Sequence, residues 1–476
     1  HHWTLERAID WSYEALTQNE QRLFQRLSIF ESPFTLEAVE SVCVAAPLHI
    51  DDIVDLIGAL GDKSFVRHDI DTGRWHVLET MRAYARDRLE EVDRTSLRSL
   101  HADYVAEVAQ RDHHEASKLA RWLNDVEAIV ADVRAAANFT MQENPAAALR
   151  LAVALRGFWI VRGHYELGYD MLRQAADASR DDASADVARA TALTSASTLA
   201  NKLGRMDDAV RAVEEARALF SSLQDERGLA HATNTLGNIY SSRGDLDEAR
   251  AHFRTAVELF EHAGDDGAAA MPLANLGIIA MDARAWDEAE TQLRESCVRA
   301  ERTGDARILA WAQGALGELA VTRNDSASAR RHYERWVELS RSVGDKASLC
   351  TALGHLAELC IQDGSADGCK DLLRESLETA SENALLLPLA DALETIAQMA
   401  FHSGEIANGA TLVGASDVLR ERMFYGMRDA ARERREEILR AAKRRDGIGF
   451  ADGYAKGRTS NTDSAIELAL RLLQPR

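Results

Sequence analysis

The amino-acid sequence predicts an almost all-α protein in which a small N-terminal module precedes a long α-solenoid of helical hairpins. Three observations support this prediction. The 476 residues are 46% apolar but only 6% aromatic, a composition that favours close-packed helices over a β-rich core. Only six prolines interrupt the chain. A sequence pattern also recurs every 40 residues along most of the chain, and a period of this size indicates stacked repeats.

The N-terminal module, residues 4–91, does not follow this period. Apolar patterning predicts helices over residues 5–30, 35–45 and 50–60, the second with Thr35 as its N-cap. Two short β-prone runs follow at residues 64–69 and 74–79, joined by a turn at residues 71–73. Three helices and a small β-hairpin predict a winged helix.

One position in each 40-residue unit is suited to ending a helix. This marker position is occupied by Gly163, Gly204, Gly244, Arg284, Asn324, Gly364 and Gly404. Glycine and asparagine favour a left-handed C-cap, so the first helix of each unit should stop there. The Gly-Asp pairs at residues 264–265, 304–305 and 344–345 predict a second turn that closes three of the units.

Small residues recur on both sides of the marker, where the two helices of a unit must lie close together. Seven residues before it stand Gly237, Gly277, Gly317 and Ala357, and five residues after it stand Ala209, Ala249, Ala289, Ala329, Cys369 and Gly409. We therefore expect about seven units over residues 145–426. Connecting helices are expected over residues 92–144, and a C-terminal helical cap over residues 427–476.

The repeat resembles the tetratricopeptide repeat in the spacing of Leu236, Gly237, Tyr240, Ala249, Phe253 and Ala256. The usual tetratricopeptide period is about 34 residues. The resemblance therefore implies a right-handed solenoid with longer helices, as in the sensor solenoids of large bacterial activators similar to the maltose-regulon activator.

The front module and the tail resemble the corresponding parts of STAND ATPases, a class of signalling switches that includes many LuxR-type bacterial transcriptional regulators. The stretches that carry the resemblance are residues 10–16, 20–30, 62–66, 78–89, 122–141 and 453–470. It implies a non-catalytic sensor or autoinhibitory region that binds an effector on the solenoid and transmits the signal through the winged helix. A nucleotide-binding domain is then expected upstream of residue 1.

One departure from that class concerns nucleotide sensing. Related switches often carry a Met-His-Asp motif in the winged helix, and the matching positions here are Val77, Leu78 and Glu79. Leucine replaces the histidine that reads the phosphate, so direct nucleotide sensing by this module is not expected. Nearby His76 is a weak substitute.

The motif search predicts no enzyme activity, no cofactor and no metal in this chain. The segment from Gly58 to Ser64 lacks Walker A spacing and is interpreted as a helix end leading into a strand. His113 and His114, with His101 earlier, do not have metal-ligand spacing and suggest a solvated surface pair. Cys350, Cys360 and Cys369 are interpreted as small buried apolar side chains.

Charge and hydropathy restrict the class of partner. A formal net charge of −21 disfavours nucleic acid and anionic lipid, and no apolar run is long enough to cross a membrane. We therefore expect a cytoplasmic protein with a protein or small-molecule effector. A basic cluster opposes this trend. It predicts a solvated helix whose ion pairs involve Glu433, Glu436 and Glu437, and the alternative is a contact to a partner domain. The cluster comprises Arg432, Arg434, Arg435, Arg440, Lys443, Arg444 and Arg445.

Two rows of residues on the first helices are candidates for lining a ligand groove. The 40-residue register aligns Thr198, Asn238, Ile278, Glu318, Glu358 and Gln398 in one row. It aligns His231, Met271, Trp311, Thr351 and Asp391 in the other. The rows fit either a solvated helix face or a channel for a cationic or hydrogen-bonding ligand. The alternative function is a scaffold for partner proteins without switching, attached to a kinase or cyclase.

Overall fold

The computed structural model describes residues 9–111, 116–363, 366–383, 385–422 and 429–474. The chain divides into two compact units, the first comprising residues 1–114, 118–158 and 170–192 and the second residues 115–117, 159–169 and 193–476. The marker Gly364, the pair His113 and His114, and the predicted domain limits at residues 4, 426 and 427 lie outside the described residues. The predicted domain boundaries therefore stay predictions.

The front module contains the three helical regions and the hairpin that the sequence predicts, followed by one further helix. Its elements are helical residues 9–14 (α1), α2 Gln18–Leu27, α3 Leu36–Cys43, α4 Ile53–Asp62, β1 Arg67–Asp69, β2 Arg74–His76 and α5 Glu79–Arg88. Thr35 caps α3 by accepting a hydrogen bond from the Ala38 amide, which confirms that prediction. The segment that lacks Walker A spacing covers the end of α4 and the first residues of the loop before β1, as was interpreted from the sequence. Lys63 in this loop binds Glu20 at 2.7 Å.

Two details of this module differ from the prediction. The helix expected over residues 5–30 is interrupted at residues 15–17, because Thr17 and Glu20 form a reciprocal capping box that starts α2 afresh. The third helix begins with a 3₁₀ turn, Ile50–Asp52, before α4. The hairpin is antiparallel, and residue Phe34 adds a bridge to Trp75, with each backbone N–H donating at 2.8 Å.

Three connecting helices follow, namely α6 Glu91–Gln110, α7 Ala116–Glu127 and α8 Val130–Glu143. Asp132 of α8 joins them to the front module by accepting hydrogen bonds from the backbone amides of Glu31 and Ser32 at 2.8 and 3.1 Å. Its carboxylate also pairs with His101 of α6 at 2.9 Å, and both side chains are buried. His101 is therefore an internal structural residue and not part of a surface group.

The helical pairs predicted by the period follow. In order, the helices are α9 Pro145–Ala154, α10 Arg156–Arg162, α11 Tyr165–Ala178, α12 Asp186–Lys202, α13 Met206–Ser222, α14 Glu226–Arg243, α15 Leu246–His262, α16 Ala270–Asp282, α17 Trp286–Thr303, α18 Ala306–Thr322, α19 Ser326–Val343, α20 Lys346–Gln362, α21 Ala366–Glu382, α22 Leu386–His402 and α23 Ile406–Arg422. The prediction of an almost all-α chain with a helical solenoid is confirmed.

The markers adopt the backbone conformation that the sequence predicts. Within the described residues, the markers Gly163, Gly204, Gly244, Arg284, Asn324 and Gly404 have φ angles between 57° and 90°. Arg284 accepts this left-handed conformation although its side chain disfavours it. The Gly-Asp turns are also present, with Gly264, Gly304 and Gly344 in the left-handed region. The aspartates after Gly304 and Gly344 cap the helices that follow.

Small residues stand where the paired helices touch. A Cβ on Gly237 would lie 2.6 Å from the ring of Phe253, and one on Gly317 would lie 2.3 Å from the ring of Tyr333. Ala249 and Ala329, on the second helices, are fully buried. The predicted close approach of the two helices is therefore confirmed, and large side chains of the second helix fill the space that the glycines leave.

Three further helices, α24 Asp429–Arg445, α25 Gly447–Thr459 and α26 Thr462–Leu472, pack on the last repeats. Phe450 of α25 and Ala469 of α26 belong to the same hydrophobic core as Leu389 of α22. Helix α25 approaches α23 closely, because a Cβ on Gly457 would lie 2.0 Å from the Thr411 carbonyl oxygen. No helix in the described part of the chain is long and apolar enough to cross a membrane.

The contact between α23 and α25 gives a stability prediction. We expect Gly457→Ala to destabilise the full chain by about 1–3 kcal/mol, because the added methyl group meets backbone atoms that cannot rotate away. Gly354→Ala in α20 is the matched control, since nothing lies within 4 Å of its Cβ position. The control should gain about 0.5–1 kcal/mol from helix propensity. Urea denaturation followed by circular dichroism measures both, and equal midpoints would contradict the prediction.

Candidate ligand-binding surface of the solenoid

The two predicted rows lie on the first helices of successive pairs and keep access to solvent. Asn238, His231 and Trp311 are exposed, and Trp311 retains 47% of its accessible surface. Thr198, Ile278, Glu318, Glu358, Gln398, Met271, Thr351 and Asp391 are half-buried. None of these residues is enclosed in the core, so both rows could contact a ligand, and their role as a binding surface stays a prediction.

Side-chain amides link neighbouring first helices near the first row. Asn275 of α16 donates to the side-chain oxygens of Asn234 and Asn238 in α14, at 3.3 and 3.2 Å. Asn201 of α12 donates to the Ser242 hydroxyl at 3.1 Å. Of these four amide residues, only Asn238 was predicted from the sequence, although all four stand on the predicted first helices. These contacts form a polar strip across three successive first helices, α12, α14 and α16.

On α20, two helical pairs after α16, His355 is the centre of a group of charged and aromatic side chains. Its ring stacks on Tyr333 and Trp336 of α19, with centroid separations of 5.1 and 5.8 Å. Its Nδ1 lies 3.7 Å from the Glu358 carboxylate. His355 was not among the residues predicted from the sequence, although it stands three residues before Glu358 and so shares its helix face.

The electrostatic environment of this pair favours its charged form. Burial on its own lowers the pKa of His355, but the Glu358 carboxylate, with Glu318 and Asp391 acting in the same direction, raises that pKa above its ordinary value. Burial likewise opposes ionisation of Glu358, yet the charges of His355 and Arg434 lower its pKa overall. The surface therefore carries an imidazolium–carboxylate pair in weakly acidic solution.

A second acidic group lies on the next first helix, α22. Asp391 and Glu394 both accept from Arg420 of α23, at 2.5 and 3.3 Å. Glu394 is nearly buried, with 8% of its surface exposed, and also contacts the Ser416 hydroxyl at 3.4 Å. The row position Asp391 thus belongs to a network with partners on the second helix.

The basic cluster in α24 contacts these acidic groups, and this corrects the prediction of a purely solvated helix. Arg434 lies 3.3 Å from Glu358. Arg435 donates through Nε to Glu394 at 2.6 Å and through Nη2 to Asp417 of α23 at 2.7 Å. These carboxylates are partly withdrawn from water, so they offer stronger partners than the exposed glutamates of α24 itself.

The remaining candidates for chemistry have structural roles. All five cysteines are buried, as was predicted for three of them. Burial raises the pKa of the Cys350 thiol to about 12 and that of the Cys43 thiol to about 12, which makes both poor nucleophiles at neutral pH. Among the described residues, no group of three or more potential ligands is arranged to hold a metal ion.

Sequence comparison identifies the repeats and a set of relatives. Residues 164–262 match the tetratricopeptide repeat family. Proteins named "Putative HTH-type transcriptional regulator" from Mycobacterium tuberculosis (strain ATCC 25618 / H37Rv) and Mycobacterium bovis are each 29% identical to this chain over 250 residues. The alignments cover 49% of this chain and 28% of each relative, so this chain matches less than a third of the relatives' length.

Structural comparison finds other helical-repeat proteins. A STAND protein with a tetratricopeptide repeat sensor from Pyrococcus horikoshii is 11% identical, with a TM-score of 0.43, over 98% of this chain and 67% of that chain. A Rap protein complexed with competence and sporulation factor is 12% identical, with a TM-score of 0.48, over 78% of this chain and 99% of that chain. At these identities the likeness concerns the fold alone.

The His355–Glu358 pair gives a prediction about pH. We expect the pKa of His355 to lie above the ordinary value of 6.5, and Glu358→Gln to lower it. Because the folded pKa is raised, the pair stabilises the protein below about pH 6.5, and this stabilisation is lost as the pH rises through the folded pKa. An NMR titration of the histidine signals measures the pKa of His355 in both chains, and His355→Gln identifies which signal belongs to this residue.

His252 of α15 is the internal control for this experiment. Burial, with the charge of Arg217, lowers the pKa of His252 below its ordinary value. It should therefore titrate at lower pH than His355 and should not respond to Glu358→Gln. A His355 signal that titrates below that of His252 would contradict the prediction.

Proposed function

We propose that this chain is the sensor and autoinhibitory region of a STAND-type signalling ATPase or transcriptional regulator. In this proposal an effector, either a protein or a small molecule, binds the first-helix surface of the solenoid. The observation that carries the proposal is the row of solvent-accessible side chains on successive first helices, which leads from Asn238 through the apolar Ile278 and through Glu318 to the charged group around Glu358. A repeated scaffold that presents such a strip is suited to recognition and not to catalysis.

The relatives support a regulatory role. The mycobacterial proteins are named as HTH-type transcriptional regulators, and half of this chain aligns with them. The tetratricopeptide match at residues 164–262 supports an interaction surface. The front module and tail add the sequence resemblance to STAND switches, and so an expected upstream nucleotide-binding domain.

The front module offers a surface for docking that domain. On α4 and the turn before it, Ile50 and Val54 expose 53% and 55% of their surfaces. Asp51, Asp52 and Asp55 are exposed beside them. Exposed apolar side chains within an acidic surface favour a protein partner, and we assign this face to the upstream domain in the resting state.

Switching in this proposal needs an effector that binds the two states with different affinities. An effector that binds one of two states more tightly shifts their populations, and a change from 1% to 99% needs about 5.5 kcal/mol of differential binding. Contacts spread over several first helices could supply that difference. The full-length open reading frame tests the switch directly, because a Walker A motif upstream of residue 1 supports it and its absence supports a simple scaffold.

The position of the effector site gives a binding prediction. We expect cationic peptides or polar metabolites that raise the melting temperature of the full chain to lose that effect after charge reversal at both Glu318 and Glu358. Ligand at about 100 times its Kd should add roughly 2.7 kcal/mol of stability, which a thermal-shift screen detects. Glu334→Lys/Glu338→Lys, at two exposed positions of the second helix α19, is the charge-matched control.

Helical circular dichroism should be the same in all these variants. Ligand binding that survives in the double variant would place the site elsewhere in the chain. Loss of binding in Glu334→Lys/Glu338→Lys as well would show a general effect of net charge.

The winged helix is not expected to bind DNA. Residues 1–91 contain nine basic and seventeen acidic side chains, whereas DNA readers gain most of their affinity from cations that meet phosphates. Of the two basic residues in the hairpin, Arg74 is already engaged by the Pro33 carbonyl at 3.1 Å and by Asp125 at 3.8 Å. A mobility-shift assay of the full chain with mixed-sequence duplex at low salt should show no complex. A salt-sensitive shift would overturn this prediction.

A further inference from the structure

Helix α24 lies across the acidic end of the first-helix surface. Its Arg434 reaches Glu358 of α20, and its Arg435 reaches Glu394 of α22 and Asp417 of α23. Farther along, Arg445 donates to the Phe401 carbonyl at the end of α22. One helix therefore contacts three solenoid helices through guanidinium groups.

The geometry at Arg435 is specific for a guanidinium. Its Nε and Nη2 donate to two different carboxylates at 2.6 and 2.7 Å, which a single ammonium group on a lysine cannot reproduce in the same fixed arrangement. Glu394 keeps only 11% of its side-chain surface exposed. Its charge therefore needs a cationic partner whenever this end of the surface is closed.

The contact between α24 and the acidic side chains is also easy to break and to form again. Arg434 exposes 47% of its side chain and Arg435 exposes 19%, so solvent and salt weaken the first pair in particular. Apolar packing of α24 comes from its later residues, including the buried Ala442 and the half-buried Ile438 and Leu439. Among the described side chains of α24, the contacts to the acidic groups are thus made by charge, and the apolar contacts lie later in the helix.

We propose that α24 is an internal competitor for the effector, and that the effector which displaces it is a protein or peptide segment carrying arginine. The inference rests on the proposed function, because it assigns the effector to the same surface. Glu358 connects the effector site with the α24 contact. It belongs to the predicted row, and Arg434 of α24 pairs with it in this structure. An incoming arginine replaces Arg434 or Arg435 on the same carboxylates, and α24 is released when the effector binds.

The first test measures whether these arginines hold α24 in place. In the full chain, Arg434→Ala/Arg435→Ala should speed hydrogen exchange of the α24 amides at least tenfold. Glu394→Gln should act in the same direction. Arg440→Ala is the matched control, because Arg440 is exposed on the same helix and donates only to the Glu436 carbonyl. Unchanged α24 exchange in the double variant would overturn the inference.

The second test measures competition without any effector. A fluorescent peptide with the sequence of residues 429–445 should bind the Arg434→Ala/Arg435→Ala chain at least tenfold more tightly than the wild-type chain. The same peptide with alanine in place of Arg434 and Arg435 should not bind. Equal affinity for the two chains, binding by the alanine peptide, or no binding to the opened chain would each overturn the inference.

These outcomes separate the inference from the proposed function. An effector that needs Glu318 and Glu358 but binds the wild-type and opened chains equally would leave the proposed function standing and overturn competition by α24. Failure of every effector to bind either chain, together with a positive peptide result, would count against the proposed function while the competition stands.

Discussion

The close approach of the two helices in each repeat is the constraint on which the rest of the solenoid depends. Glycine at positions such as Gly237 and Gly317 leaves space that an aromatic ring of the second helix fills, at distances that exclude even a methyl group. Because this contact recurs in the same register, it fixes how each first helix is presented. The side chains on the outer part of those helices then fall into rows, and the polar surface follows from the packing beneath it.

The charged end of that surface shows how packing and electrostatics combine. Stacking on Tyr333 and Trp336 holds the His355 ring, and partial burial strengthens its interaction with the Glu358 carboxylate. The neighbouring Glu394 is nearly buried, so it requires the guanidinium groups of Arg420 and Arg435. Replacing a cationic side chain there with a neutral one would leave a carboxylate without its partner.

In the front module, buried charged side chains hold the helices in place. Its helices are joined to α6 and α8 by one carboxylate, Asp132, which accepts from two backbone amides and pairs with His101. Arg26, also buried, donates to the carbonyls of residues 43, 45 and 46. Buried polar groups that satisfy several backbone partners fix one geometry, since any shift breaks several hydrogen bonds together.

The sequence by itself determined the features that depend on local conformation. Helix ends at Gly244 and Asn324, the cap at Thr35 and the small contact residues follow from the backbone preferences and sizes of single residues in a regular period. Only the tertiary structure decided the partners of charged side chains. Arg434 and Arg435 have glutamates at helical spacing on their own helix. They nevertheless bind Glu358 and Glu394, which lie 76 and 41 residues away in the sequence. Spacing cannot reveal such pairs, because their strength comes from desolvation that exists only after the solenoid has folded.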